Sequence, residues 1–404
     1  MKIQYLSASG ELGGAEVCLL DMMASLQREQ PGWHLALIAA QRGPLIQRAQ
    51  SMGVATTVLP FPPALSRLGD SKPSNGRTAQ AVLGAKMAAG TCFAAAYSRQ
   101  LRRCIKAFAP DVLHSNSLKM NLLGAWAKSR RLPFIWHLHD YVSSRPFMNT
   151  AMRFCRNRCS AILANSNSVR DDARSSLASP EIHTLYNAID INEFSPEGPV
   201  ADLDRLCNLQ PSAVPVIRVG LLATMAWWKG HKDFIQALAL LVHQSSIRGY
   251  VIGGPLYYTE GSQVEIAELR ELSRQLNADR HIGFTGFLEK PSSAIRALDI
   301  VVHASTRPEP FGRVIVEAMS CAKPVITTAV GGAGELISAG NNALDFRMGD
   351  CAHLAERIRE LADDSQLRGR LGAAGHRTVM ENFDRRRLGN QLVSFYQRVL
   401  ESAA

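Results

Sequence analysis

The chain has 404 residues, 46% of them hydrophobic and 20% charged, with a formal net charge of +10. These are globular proportions on a length too great for one ordinary core, so two domains of roughly 180–200 residues are expected. No run of about 18 strongly apolar residues occurs, which argues against a membrane-spanning helix, and the eight cysteines are scattered without paired C-x-x-C units, which argues against structural zinc.

The start, MKIQYLSASGEL, lacks the long apolar segment of a secretory signal and reads as a first buried strand. Only Cys155 and Cys159 are near neighbours among the cysteines, and a reduced cytoplasm is the expected compartment. Short apolar, β-rich runs then alternate with helical patterns. In the first half they are KIQYLSA, HLALIAA, VATTVLP, DVLHSN, PFIWHLH, AILANS and HTLYNA. Residues 61–80 read as a loop-like insertion, and 81–108 as one helix or two carrying Lys86, Arg99, Arg102, Arg103 and Lys106. Such a stretch can rest on an anionic interface or pack on the sheet with a solvated basic face. Residues 60–160 hold sixteen lysines and arginines against three acids. A one-sided basic surface favours nucleic acid, an anionic membrane face or a phosphate-bearing substrate.

The second half repeats the alternation with VPVIRVGLLA, GYVIGG, HIGFTG, DIVVHAS and KPVITTA, and a helical tail follows from about 384. Strands alternating with helices imply parallel sheets covered on both faces, and two such sets imply two doubly wound α/β domains. The break falls in a Pro-, Asp- and Asn-rich stretch, with the boundary at about 190–212.

Four places carry chemistry. The turn SGELGGAE joins a strand to a helix, and its Gly13 and Gly14 could let backbone approach a phosphate at the helix N-terminus. It lacks the G-x-G-x-x-G spacing, and LALIAAQRG lacks the acid of a dinucleotide site, so a dehydrogenase is disfavoured. PFIWHLHDY delivers His137, His139 and Asp140 to the C-terminal end of a strand, where open α/β sheets place ligands. His137 reads as structural, and His139 with Asp140 as functional. Lys229-Gly230 precedes a helix, where a lysine suits a diphosphate, while Trp227 and Trp228 could stack on a ring or simply pack. Finally, Pro308 and Pro310 hold Glu309 extended, Phe311-Gly312 turns the chain, and Glu317 lies inside the next helix. Carboxylates at both ends and helix amides between them suit a ligand with hydroxyls, an anion and hydroxyls in sequence, as in a nucleotide sugar. Asp202-Leu203-Asp204 has the form of a metal–nucleotide motif, but its linker position marks it as coincidence.

Over nearly its whole length the chain resembles the family-4 retaining glycosyltransferases of the GT-B fold. The resemblance rests on GGAE at 13–16, HLHD at 137–140, ANSNSV at 164–169, NAIDINEFSP at 187–196, WKG at 228–230, EPFGRVIVEAM at 309–319, KPVITT at 323–328 and GGAGELI at 331–337. It implies two Rossmann-like domains facing a cleft. Residues 1–195 would form the acceptor side, with 384–404 packing back on it, and 205–383 the nucleotide-sugar donor side. Gly13 and Gly14 would approach the donor, His139 the reaction centre, and Asp140 the acceptor. Lys229 would neutralise the leaving diphosphate, and Glu309 would hold the sugar's hydroxyls. The amides of Phe311, Gly312 and Arg313 would face sugar and phosphates, and Glu317 the ribose. No metal or other cofactor is implied. The acceptor would be a glycan or lipid-linked intermediate; the basic excess of residues 60–160, rather than the resemblance, suggests peripheral contact with an anionic membrane, and no nucleic acid partner is expected. One departure matters: the family's usual arginine near Thr224 is absent, and Arg313 is the candidate to replace its charge. The remaining alternatives are a nucleotide-sugar epimerase or hydrolase on the same fold, and a non-catalytic basic binding module.

Overall fold

The computed structural model describes residues 1–66, 77–178, 181–242, 246–255 and 263–402. The chain divides into two compact units, Met1–Ala188 with Arg385–Ala404, and Ile189–Asp384.

The first unit is built on a parallel sheet of β1 (Lys2–Ser7), β2 (His34–Ala39), β3 (Ala55–Val58), β4 (Val112–Ser115), β5 (Phe134–Leu138), β6 (Ala161–Ala164) and β7 (Ile182–Thr184). Its spatial order is β3-β2-β1-β4-β5-β6-β7. Every residue of β1 from Ile3 to Ser7 is buried, as a strand covered on both faces requires. Helix Gly14–Glu29 lays Leu19, Met22, Met23 and Leu26 on one face of the sheet. Helix Arg385–Glu401 packs beside it, and Gly389 permits the close approach: a Cβ there would meet Ser25 O at 2.7 Å. The Ser25 hydroxyl donates to the Arg385 carbonyl at 2.9 Å, and the Tyr396 and Tyr5 hydroxyls lie 3.0 Å apart. The basic stretch forms a single helix, Arg77–Phe108, while residues 67–76 of the expected insertion lie outside the described residues.

The second unit repeats the design with β8 (Ile217–Leu222), β9 (Ile247–Ile252), β10 (Ile282–Gly286), β11 (Ile300–His303), β12 (Val325–Thr327) and β13 (Leu344–Asp345), in the order β10-β9-β8-β11-β12-β13. Both sheets are parallel throughout, as the alternation of strand and helix signals predicts. Strand β13 was not expected, because two residues carry no periodicity.

The second unit begins at Ile189, at the early edge of the expected break. The reason is Arg296, buried at 9% exposure, whose guanidinium donates to the carbonyls of Pro199 (2.8 Å), Glu193 and Ser195 (both 3.2 Å) and holds the linker to this unit. Asp202 caps the short helix Leu203–Leu206, and Asp204 accepts from Tyr250 at 2.6 Å and pairs with Arg248 at 2.8 Å. Both acids of the DxD sequence thus anchor the linker. Among the described residues no helix is long and apolar enough to cross a membrane.

In each unit the strand order reverses once beside the central strand, between β1 and β4 and between β8 and β11. The C-terminal ends of these strands form the crevice where doubly wound sheets bind ligands.

Candidate active site

In the second unit the loops leaving β8 and β11 are joined at two points. The Thr306 amide donates to the Trp228 carbonyl at 2.7 Å, and the Lys229 ammonium reaches both Glu309 oxygens at 2.8 and 3.0 Å. Gly230 makes this approach possible. It sits at φ +74°, and a Cβ there would fall 1.8 Å from the Ala304 carbonyl oxygen. Trp227 and Trp228 meet edge to face, 5.6 Å between ring centres.

Glu309 lies extended, as Pro310 after it favours, and its backbone pairs with the 330–332 segment: its amide donates to Val330 O at 3.1 Å and its carbonyl accepts from Gly332 at 2.7 Å. Its carboxylate also accepts from Ser305 Oγ at 2.7 Å and from His303 Nε2 at 3.2 Å. The other His303 nitrogen lies 3.1 Å from Thr327 Oγ1, so β12 orients the ring. Burial pushes the Glu309 carboxyl up, but Lys229 and His303 outweigh it and hold it well below the usual carboxylate range. The result is a fixed, ionised carboxylate at the end of β11.

Helix Arg313–Ser320 starts at Gly312, which caps it at φ +95°. The Phe311 ring is buried against Phe383, 6.0 Å between centres, so the ring is packed into the core. Arg313 Nε donates to Glu317 Oε1 at 2.7 Å, a pair one turn apart on the helix.

In the first unit, Gly13 caps helix Gly14–Glu29 with extended backbone and accepts from Val17 N at 2.9 Å. A Cβ on Gly14 would meet nothing within 4 Å, so nothing in the chain's own packing demands a glycine there. Asn116, just past β4, donates from Nδ2 to the Ala15 carbonyl at 2.9 Å, and its Oδ1 lies 2.8 Å from His139 Nε2. One side chain therefore ties the glycine turn to the histidine. His139 lies tilted against His137, 4.0 Å between centres, and His137 meets His114 edge to face at 5.4 Å. Burial lowers the imidazoles of His139 to about 4 and His114 to about 3, and His137 well below 6.5, so all three are neutral at pH 7. Asp140 pairs with Arg145 at 2.8 Å. Among the described residues no group of three His, Cys, Asp or Glu side chains could hold a metal ion.

His303, Ser305 and Asn116 did not stand out in the sequence. Each lies at or just past the end of a strand bordering a reversal in strand order. That position was the available signal, masked because DIVVHAS and DVLHSN read simply as strands.

Two family models match the chain: "Glycosyltransferase Family 4" over residues 12–193 and "Glycosyl transferases group 1" over residues 217–378. The N-acetyl-alpha-D-glucosaminyl L-malate synthase of Bacillus anthracis is 24% identical over 301 residues, 72% of this chain and 75% of that protein. The lipopolysaccharide core biosynthesis glycosyltransferase LpsE of Rhizobium meliloti is 28% identical over 195 residues, 48% of this chain and about half (53%) of that protein's length. Among solved structures, Anabaena HepE in complex with UDP-glucose superimposes with a TM-score of 0.79 at 26% identity, over 98% of this chain and 100% of that one.

Proposed function

We propose a donor, a mechanism and a place of action from one premise: the chain belongs to the group 1, family-4 glycosyltransferases, has their two-domain GT-B fold, and is a transferase enzyme. The donor is a nucleoside-diphosphate sugar, and the acceptor a hydroxyl of a glycan or lipid-linked intermediate in cell-surface polysaccharide synthesis. The polysaccharide relatives and the UDP-glucose complex of HepE support this reading. The observation that carries it is the buried Lys229–Glu309 pair, braced by His303 and Ser305 at the end of β11 and followed by the helix that starts at Gly312.

In this mechanism Glu309 accepts hydrogen bonds from the sugar's hydroxyls and fixes its ring. Glu317 accepts from the ribose hydroxyls, held in place by Arg313. The amides at Phe311, Gly312 and Arg313 and the Lys229 ammonium face the phosphates. The bond from sugar C1 to the phosphate oxygen breaks, and its electron pair leaves with the diphosphate. The acceptor oxygen bonds to C1 on the same face, so configuration is retained. The acceptor's proton passes to the departing phosphate oxygen. Preorganised donors that meet developing negative charge supply most of the rate enhancement. Gly13 and Gly14 leave room for the donor, and His139 and Asp140 lie on the acceptor side.

The place of action is the cytoplasmic face of an anionic membrane. Supporting it, Phe154 is 90% exposed, and with Trp126 it lines a hollow that also takes in Arg102 and Arg158, on the unit that carries the basic excess. Aromatic side chains among cations suit a lipid headgroup layer. Flotation with phosphatidylglycerol vesicles should carry the protein, and phosphatidylcholine vesicles should not; equal binding to both removes the membrane part.

The central test is incubation with UDP-, GDP-, ADP- and dTDP-sugars, UDP-glucose first, read as protection against thermal unfolding and as released nucleotide with an acceptor extract. The anomeric configuration of the product is then read by NMR. No stabilisation by any of the four, or an inverted product, would overturn the corresponding part.

A further inference from the structure

We propose that Arg307 is a donor-binding residue that meets the diphosphate, supplying the positive charge that Lys229 and Arg313 do not have to spare. The inference rests on the nucleotide-sugar reading above and deepens it.

The argument begins with charge. A leaving nucleoside diphosphate carries more than one negative charge, and a site that receives it needs cations not already matched by the protein. In the two loops leaving β8 and β11, and the first turns of their helices, the charges are almost all matched. Lys229 is held by both oxygens of Glu309. Lys232 is paired with Glu268, and Arg313 with Glu317. Burial, with Lys229 beside it, lowers His231 to about 4, so it is neutral. The one further charged candidate is an acid, Asp233, whose carboxyl burial pushes up. Arg307 alone among these cations has no carboxylate partner among the described residues.

Its position is built as well. Arg307 is exposed, and its guanidinium lies over the Trp227 ring at 4.1 Å. It sits in the loop between two fixed points, Thr306 bonded to Trp228 and Glu309 bonded to Lys229, so it is held against the segment that carries Lys229. Stacking uses the face of the guanidinium and leaves the in-plane N–H donors at its edge, which match phosphate oxygens two at a time. The indole also removes water from one side of the cation, which strengthens its attraction for an anion. Arg313, which the sequence offered for this role, is instead tied to Glu317 within its own helix.

The test is calorimetric titration of the full chain with uridine and UDP, for wild type, Arg307→Gln, Arg307→Lys and Trp227→Leu, with the unliganded melting curve of each. Arg307 is exposed, so Arg307→Gln should melt as wild type does. It should bind UDP at least tenfold more weakly, while uridine binding changes less than twofold. Arg307→Lys should recover part of the UDP affinity, and Trp227→Leu should fall between it and Arg307→Gln. Equal UDP affinity in wild type and Arg307→Gln would overturn the assignment and leave the donor reading intact. So would equal losses for uridine and UDP, since Arg307 would then only prop the indole. Wild type that binds neither UDP nor GDP, ADP or dTDP would overturn both.

Discussion

Asn116 accepts a hydrogen bond from His139 Nε2 at 2.8 Å, and a third group fixes the direction of that bond. Asn116 Nδ2 donates to the Ala15 carbonyl, so its Oδ1 must face the imidazole. The His139 proton therefore sits on Nε2 and leaves Nδ1 as a bare acceptor, buried without a hydrogen-bond partner among the described residues. With the ring lowered to about 4, this neutral tautomer persists through the physiological range. Asn116→Asp would place a carboxylate beside Nε2 and stabilise the imidazolium. The acid limb of the pH–activity profile should move up by about one unit or more, and turnover at pH 7 should fall. An acid limb that stays put removes His139 from the reacting centre.

Gly14 and Gly230 separate the demands of a ligand from those of folding. Alanine at Gly14 meets open space at the start of a helix and should stabilise the protein by about 0.5 kcal/mol. It should nonetheless weaken the donor's KM, because the added methyl occupies the ligand's side of the turn. Alanine at Gly230 meets the Ala304 carbonyl in a left-handed conformation, so it should lower Tm and displace Lys229. Unaltered donor kinetics in Gly14→Ala would show that the turn has no part in binding.

The Lys229–Glu309 pair should behave as one unit. Lys229→Met takes the cation away from a buried carboxylate that keeps its His303 and Ser305 contacts, at a cost of roughly 2–4 kcal/mol. Glu309→Gln removes the charge that anchors the lysine, and turnover should fall about 10²–10³-fold. The double variant should lose less stability than the two single losses added together. Strict additivity in urea unfolding would contradict the coupling.

Acid should unfold the first unit early. His114, His137 and His139 lie there, all with pKa values lowered by burial, to about 3 for His114 and about 4 for His139. As pH falls through about 6.5 the unfolded chain takes up these protons and the folded chain does not. Stability is therefore full above that value and declines toward pH 4, by about 1.4 kcal/mol per pH unit for each histidine. In the second unit, His231, lowered to about 4, adds to the loss over the same window, and Glu309, Asp204 and Asp350 have depressed carboxyls; the Glu309 contribution is present above about 4.5 and lost as pH falls further. Neither His137 nitrogen has a hydrogen-bond partner among the described residues, so His137→Leu should fold and flatten the slope by about one proton. A Tm that does not change between pH 7 and 4 would contradict the assignment of three neutral rings.

The two sheets could be read from the order of residues because strand signals are local: a run such as IVVH or HLALIA shows its apolar character within four to six positions. Glu309 could be read for the same reason, since its constraint comes from Pro310, the next residue. The turn at Gly13 and Gly14, the lysine before Gly230, and His137 in β5 with His139 just past it were also visible one by one. Their partners were not. Lys229 and Glu309 are eighty positions apart, and only the parallel pairing of β8 with β11 brings their loops together. His303, Ser305 and Asn116 look like incidental polar residues in strand-like runs until the strand order places those runs beside the central strands. Whether an arginine is matched or available is likewise invisible along the chain: Arg313 and Arg307 are six residues apart, and one meets a carboxylate while the other meets an indole. Backbone preference and apolar patterning act over a few residues, so sequence alone determined them. Charge pairing and hydrogen bonding depend on which groups end up within about 3 Å, and only the packed chain decided that.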